Sequence, residues 1–126
     1  MVKGIVLVDH GSRRDSANQM LLRMATLLKE EAGSSFVAVE IAHMELAEPT
    51  LEQAFLRCVE AGATTVVVSL FFLSPGRHSH SDIPRMVTEL EQMFPGVCCL
   101  VTGSLGVDVR LAELLLLRVE EALESL

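Results

Sequence analysis

Short apolar runs rich in β-branched residues alternate with helical segments along this chain of 126 residues. The pattern predicts buried strands over 2–9, 36–42, 64–72 and 97–102. Because one helical segment separates each strand from the next, the alternation predicts parallel pairing, right-handed crossovers and helices on both faces of the sheet. We therefore expect a single α/β domain over residues 1–126, an open sheet of four mainly parallel strands with flavodoxin-like layering.

The first two helical segments have recognisable ends. A helix is expected over 15–32, where apolar residues recur at helical spacing and Gly33 follows as a stop signal. A second helix is expected to open at Pro49 and Thr50 and to close over 60–63.

The last two helices follow loops. A loop is expected over 73–81, with a helix starting at Asp82 and carrying Pro84 at an early position. Asp108 is expected to cap a terminal helix whose apolar residues face inward. Those residues are Leu111, Leu114, Leu115, Val119 and Leu123, widened by Leu116 and Leu117. A stripe this wide exceeds what one sheet face needs, and four strands leave exposed sheet edges, so a second subunit is expected.

Composition excludes several classes of partner. The formal net charge is −7 and the sequence pI is about 5.0, so a polyanion is repelled and no nucleic acid is expected. Aromatic residues make up 4% of the chain, without Trp or Tyr, which argues against base-stacking surfaces. No apolar run reaches membrane-span length, and the chain enters a strand at once, so neither a membrane segment nor a leader is expected.

The cysteines are Cys58, Cys98 and Cys99. Their number is odd, two are adjacent, and no CxxC pair occurs. This is typical of a reducing compartment in which buried thiols act as small apolar residues. An iron–sulfur cluster is not expected, because a fourth thiolate and the usual spacing are missing.

Two histidines stand just past predicted strands. His10 follows the first strand and precedes Gly11, and His78 follows the third strand, two residues after Gly76. Ligands of open α/β sheets bind where the carboxyl ends of the strands meet. Imidazole binds borderline metal ions and accepts protons near neutral pH, so the pattern predicts metal or proton chemistry in a cleft. A strand-end or loop histidine bonded to the backbone is the alternative.

Glu45 lies between a predicted strand and a helix, which places a carboxylate on the same edge of the sheet. A solvated loop glutamate is the alternative. His43, two residues earlier, fits either a residue that supports a metal ligand or simply the end of the strand. Of His78 and His80, which lie two residues apart in the same loop, we expect His78 to be the ligand and His80 to lie at the edge of the cleft.

Arginines cluster near these positions in a chain that is acidic overall: Arg13, Arg14, Arg77 and, less directly, Arg85. Guanidinium groups suit bidentate contacts to carboxylates, so a carboxylate-binding surface is one interpretation and ordinary surface charge is the other. Ser12 is placed to cap the helix that follows. The chain contains no GxxxxGK[ST], GxGxxG or GxSxG motif.

Three stretches form a combined pattern: VDHGSR at 8–13, HMELAEP at 43–49, and FFLSPGRH at 71–78 followed by DIP at 82–84. In this order, and over nearly the whole chain, they resemble the sirohydrochlorin chelatases, the class II tetrapyrrole chelatases that need no ATP. The chain resembles the short, single-domain form and is especially similar to the plant-type iron chelatases of siroheme synthesis in plastids. Long relatives carry two such halves, so the resemblance implies a homodimer.

The resemblance also implies roles for individual residues. His10 and His78 would handle the metal, with Glu45 as the accompanying carboxylate. The residues implied at the substrate are Ser12, Arg13, Arg14, Gly76, Arg77 and His80. Gly11 and Gly76 would let the backbone approach a flat ring.

The implied reaction is ATP-independent insertion of a divalent metal into sirohydrochlorin, with Fe²⁺ favoured over Co²⁺ or Ni²⁺ and no organic cofactor. The implied location is the plastid stroma if a transit peptide has been removed, and otherwise the cytoplasm. Alternatives left open are cobalt insertion for cobalamin synthesis, a non-catalytic metal-binding module, and a structural subunit assembled through its terminal helix.

Overall fold

The computed structural model describes residues 1–74, 76 and 79–126, with the backbone alone at 79–81. The elements in chain order are β1 (Lys3–Asp9), α1 (Asp15–Ala32), a 3₁₀ turn (Gly33–Ser35), β2 (Phe36–His43), α2 (Leu51–Glu60), β3 (Thr65–Leu70), α3 (Ser79–Met93), β4 (Cys98–Val101) and α4 (Val109–Leu123).

The strands form one sheet in the order β2-β1-β3-β4, and every pairing is parallel. β1 is a central strand, with five consecutive buried residues, which is typical of a strand covered on both faces. The predicted α/β class and parallel sheet are confirmed. The carboxyl ends of all the strands therefore lie at one edge of the sheet.

Helices cover both faces of the sheet, as expected. On one face, α2 and α3 pack on alternate strand residues such as Val6, Val8 and Val68. On the other face, α1 packs on Leu7 through Leu21 and Ala25. Successive strand residues point to opposite faces. Asp9 therefore follows Leu7 towards the α1 face, and His10 follows Val8 towards the face covered by α2 and α3.

Two predicted helix starts are confirmed by their caps. The hydroxyl of Thr50 accepts from the backbone N–H of Gln53 at 3.2 Å, and the Gln53 side chain accepts from the Thr50 N–H at 2.9 Å. At the start of α4, the carboxylate of Asp108 accepts from the backbone N–H of Arg110 at 2.9 Å. These contacts, which are reciprocal at Thr50 and Gln53, satisfy amides that have no partner inside the helix.

Two predicted boundaries around the third loop are wrong. β3 ends at Leu70 and not at residue 72, because the carbonyl of Phe72 accepts from the Leu105 N–H and belongs to the contact between two loops. α3 starts at Ser79 and not at Asp82, so Pro84 lies inside the helix. A proline this near a helix start disturbs only the first turn, and it therefore marks the boundary poorly.

The predicted inward packing of α4 is wrong. None of the residues of α4 is buried, and Leu115 is 68% exposed. The stripe was expected to cover the sheet, but α1, α2 and α3 supply the buried helix residues of the described core. The apolar side chains of α4 therefore remain exposed in the single chain.

Candidate functional site

Residues that follow β1 and β2 are joined by backbone hydrogen bonds beyond the ends of the strands. The N–H of Met44 donates to the carbonyl of Asp9 at 2.9 Å, and the N–H of Glu45 donates to the carbonyl of His10 at 3.1 Å. These bonds place Glu45 beside His10. The expectation that both residues share one edge of the sheet is confirmed.

Gly11 permits this close approach. Its φ of +92° lies in the region that favours glycine, and a Cβ at this position would lie 2.0 Å from the carbonyl oxygen of Glu45. The close neighbour of Gly11 is therefore the backbone of the loop that carries Glu45. The sequence interpretation had assigned this freedom to the approach of a ligand.

The imidazole of His10 stacks on the ring of Phe72, with centroids 4.3 Å apart and an angle of 27° between the planes. Phe72 is 6% exposed, so it gives the exposed imidazole a fixed support. Stacking occupies a face of the imidazole and leaves its nitrogens at the ring edge, where a metal ion or a proton can reach them.

A cavity of about 240 Å³ opens between these strand ends and α3. Its walls are formed by His10, Met44, Glu45, Phe72, Asp82, Arg85 and Met86. Ionisable side chains of both signs therefore meet an apolar wall of one aromatic ring and two thioethers. This composition suits a partly apolar ligand that also carries polar groups.

The α3 side of the cavity was largely missed from the sequence. Asp82, Arg85 and Met86 lie three and four residues apart, so they share one helix face. Arg85 Nη2 lies 3.4 Å from Asp82 Oδ1, and the Arg85 side chain is 68% exposed. That spacing was the available signal, but Asp82 was interpreted only as a helix start and Met86 only as a core residue.

Several predicted substrate residues lie elsewhere. Arg13 and Arg14 are exposed and do not line this cavity. Ser12 does not cap α1, whose N-cap residue is Arg14; its hydroxyl accepts from the Arg14 N–H at 3.0 Å within a turn. The backbone N–H of Ser12 donates to the side-chain oxygen of Asn18, and the Ser12 carbonyl accepts from the Asn18 side-chain amide. In the described structure Ser12 therefore shapes the β1–α1 turn.

The loop before α3 is described only in part. Gly76 is exposed, and a Cβ there would meet no neighbouring atom within 4 Å. Arg77, His78 and the side chain of His80 lie outside the described residues. Within the described part of the chain, no group of three or more His, Cys, Asp or Glu side chains is placed to hold a metal ion.

The cysteines lie away from the cavity. Burial, with a smaller contribution from Glu40, raises the pKa of the Cys58 thiol from 9.0 to about 12. Burial likewise raises the pKa of Cys99 to about 11, and Cys98 is exposed. Metal clusters bind thiolates, whereas these two buried groups favour the neutral thiol.

His43 and Asp9 form a polar pair at the same edge of the sheet as His10 and Glu45. His43 Nδ1 lies 2.6 Å from Asp9 Oδ1, and His43 is 2% exposed.

In the portion of the protein that the structure describes, no helix has the length and apolar character needed to cross a membrane.

Comparison with known proteins places this architecture in a family. The model of the CbiX family matches residues 4–122. The chloroplastic sirohydrochlorin ferrochelatase of Arabidopsis thaliana is 50% identical over 103 residues, which cover 82% of this chain and 45% of that protein. The sirohydrochlorin cobaltochelatase of Sulfurisphaera tokodaii is 32% identical over 97% of this chain and 95% of its own length.

A solved structure agrees with the sequence matches. The sirohydrochlorin chelatase SirB of Bacillus subtilis subspecies spizizenii, in complex with cobalt, superposes with a TM-score of 0.86 at 28% identity, over 96% of this chain and 51% of that chain. The chain spans 45%, 62% and 58% of the length of three curated relatives that it matches. The family model covers nearly every residue, and a solved relative has the same fold. The chain therefore belongs to the CbiX family.

Proposed function

We propose that this chain inserts a divalent metal ion into sirohydrochlorin without ATP, with Fe²⁺ as the favoured metal. The observation that carries the proposal is the meeting of His10 and Glu45 on one wall of a cavity at the carboxyl edge of the sheet. The names of the relatives supply the substrate, since both ferrochelatases and cobaltochelatases act on sirohydrochlorin.

The chemistry of insertion suits an imidazole beside a carboxylate. As the ion enters, two pyrrole N–H bonds break, metal–nitrogen bonds form, and the two protons pass to bases and then to water. His10 holds the incoming ion or accepts a proton, and the Glu45 carboxylate offsets the charge of the ion. Formation of the metal–nitrogen bonds drives the reaction, so neither a nucleotide nor an organic cofactor is required.

His78 is the second imidazole of the proposal. It lies outside the described residues, so its role rests on its place in the motif at 71–78. Arg77, Gly76 and His80 are proposed at the substrate on the same basis.

The macrocycle is proposed to lie on the apolar wall of the cavity. Phe72, Met44 and Met86 offer a surface for the flat ring, and Arg85 offers a cation to a carboxylate at the ring edge. Among the described arginines, Arg85 is therefore favoured over Arg13 and Arg14.

A second copy of the chain is proposed to complete the site. A cavity of about 240 Å³ is smaller than the roughly 300–1,000 Å³ that enclose a drug-sized ligand. The exposed leucines of α4 supply an apolar surface for association. This chain also covers 51% of the longer SirB chain, which is consistent with two such units acting together.

Cobalt insertion is the second candidate function. It is favoured by the cobaltochelatase that matches this chain over 95% of its own length, and by the cobalt bound to SirB. Iron is preferred on the higher identity, 50%, to the chloroplastic ferrochelatase. The same relative supports a plastid location for this chain.

The test mixes the protein anaerobically with sirohydrochlorin and Fe²⁺, Co²⁺ or Ni²⁺ and follows the absorbance of the macrocycle. We expect rapid conversion to the metal complex, fastest with Fe²⁺. Metal binding without a change in the macrocycle spectrum would instead establish a binding module. A faster reaction with Co²⁺ would establish the second candidate.

Variants assign the reaction to the proposed residues. His10→Ala and His78→Ala are expected to abolish insertion while the circular dichroism spectrum stays unchanged. Glu45→Gln is expected to slow insertion, and Glu48→Gln, an exposed glutamate of the same loop outside this cavity, serves as its matched control. Full turnover in His10→Ala or His78→Ala would reject the assignment.

A further inference from the structure

Buried His43 and partly exposed Asp9 form a pair at the ends of two neighbouring strands. They are register partners in the β1–β2 ladder, so their side chains leave the sheet side by side. The Nδ1–H of His43 donates to Asp9 Oδ1 at 2.6 Å. The His43 side chain is buried, and its imidazole forms an ion pair with this carboxylate.

The pair lies across the sheet from the cavity. Asp9 continues the face of Leu7, against α1, and it lines a separate opening with Met20, Met24 and Phe71. Neither Asp9 nor His43 lines the cavity that His10 and Glu45 share. Neither member of the pair is therefore placed to contact a ligand in that cavity directly.

The backbone links the pair to the cavity. The N–H of His43 donates to the carbonyl of Pro49 at 2.8 Å, which closes the loop that carries Glu45. On the other side, the carbonyl of Asp9 accepts from Met44. Within this loop Leu46 has a φ of +71°, a conformation that a leucine adopts only when its surroundings impose it.

We propose that Asp9 and His43 are a positioning pair that holds the loop 44–49 against the end of β1, and so sets where the Glu45 carboxylate stands relative to the His10 imidazole. The charge-assisted hydrogen bond fixes the ends of β1 and β2 in one register. Each partner precedes a cavity residue in sequence: Asp9 precedes His10, and His43 precedes Met44 and Glu45. The inference rests on the proposed function only for its effect on turnover.

The test compares His43→Leu with His43→Asn. An asparagine amide nitrogen stands at the same bonded distance from Cβ as Nδ1, so it preserves a donor to Asp9 that leucine removes. We expect His43→Leu to lower kcat for metal insertion about tenfold or more, the range typical of residues that orient a metal ligand. KM for sirohydrochlorin should change less than about twofold, because the Phe72 and α3 walls remain. His43→Asn should recover most of kcat.

A second readout needs no turnover. The Glu45 amide donates to His10 in the folded chain, so its hydrogen exchange, measured by NMR, reports the loop directly. We expect faster exchange at Glu45 in His43→Leu and protection restored in His43→Asn. If the wild-type protein inserts no metal, the proposed function fails, and the exchange rates still decide the positioning role.

Two results would overturn the inference: wild-type exchange at Glu45 in His43→Leu, or equal loss of protection in both variants. If His43→Leu does not fold, Asp9→Ala and Asp9→Asn repeat the comparison from the partner, whose side chain is 28% exposed. Asparagine keeps an oxygen acceptor for His43, so rescue by Asp9→Asn supports the pair, and equal damage by both substitutions rejects it.

Discussion

The backbone N–H of Glu45 donates to the carbonyl oxygen of His10 at 3.1 Å, which joins two predicted metal-handling residues through the main chain. Their relative position therefore depends on how closely the loop after β2 approaches the end of β1. Gly11 sets that approach, since a Cβ there would lie 2.0 Å from the carbonyl oxygen of Glu45.

Gly11→Ala is therefore expected to damage both stability and insertion. Its φ of +92° imposes a strain of roughly 1–2 kcal/mol on alanine, and the new methyl group displaces the loop in addition. A displacement near 1 Å at a reacting group costs up to about 100-fold in rate. We expect kcat to fall about 10- to 100-fold, measured by the absorbance assay.

Gly96→Ala separates strain from displacement. Gly96 has nearly the same φ, +91°, but a Cβ there would meet no atom within 4 Å. Gly96→Ala should lose only the stability that corresponds to the strain, roughly 1–2 kcal/mol in urea unfolding, and keep the wild-type kcat. Equal kcat in Gly11→Ala and Gly96→Ala would show that the loop position does not control insertion.

Phe72 is expected to act through the orientation of His10. Phe72→Leu keeps the site apolar but removes the ring that lies 4.3 Å from the imidazole. An aromatic pair contributes about 1 kcal/mol beyond burial, so a loss of about fivefold in kcat is expected. Phe94→Leu, which removes the half-buried partner of the Phe55 ring, is the control. It should lower the melting temperature similarly without changing kcat; a fall in kcat there too would point to general loosening.

Arg85 is expected to affect substrate binding more than turnover. Because its side chain is 68% exposed, its contact with a substrate carboxylate is worth only about 1 kcal/mol. Arg85→Gln should therefore raise KM for sirohydrochlorin about fivefold and leave kcat within about twofold. The exposed Arg57 of α2 lies off this cavity, and Arg57→Gln should leave KM unchanged. An unchanged KM in Arg85→Gln would remove this residue from the site.

The fold could be predicted because the apolar residues of a parallel α/β protein follow two distinct patterns, continuous in the buried strands and at helical spacing in the helices. The predicted and observed bounds of α1 agree, and Thr50 and Asp108 were recognised from capping chemistry. The packing of α4 could not be predicted. An apolar stripe indicates that one face of a helix is buried. It does not indicate whether the sheet of the same chain or another surface buries that face.

The site divides in the same way. His10 and Glu45 could be placed together because the ends of parallel strands share an edge of the sheet. Arg85 was predicted only as the least direct member of the arginine cluster and Met86 only as a core residue, because the angle at which α3 crosses that edge is a tertiary property. The cap predicted at Ser12 was wrong because its hydroxyl bonds locally within the turn before α1, a competing use of serine that composition does not reveal.

Stability should fall in alkali through Cys58. Its folded pKa, raised to about 12, lies above the unfolded value near 9, so the stabilising contribution is complete below pH 9 and is lost as the pH rises towards 12. Across that window the free energy of unfolding should fall by up to about 1.4 kcal/mol per pH unit for this thiol. Urea unfolding at several pH values should show a shallower decline in Cys58→Ala than in the wild type.

Cys98→Ala is the control for the alkaline window, because Cys98 is exposed. It should reproduce the wild-type decline. Parallel declines in all three proteins would show that burial of Cys58 does not govern the alkaline behaviour.

Association through α4 is expected to depend on its leucines. Leu115 and Leu116 are 68% and 57% exposed in the single chain, and Leu115→Glu or Leu116→Glu would place a charge in an apolar contact. We expect the wild type to sediment as a dimer and both variants as monomers, with the circular dichroism spectrum unchanged because no residue of α4 belongs to the core. Glu120→Gln, on the same exposed helix, should remain dimeric. A dimer that survives both leucine substitutions would place the interface elsewhere, and a monomeric wild type would remove the proposed second copy from the site.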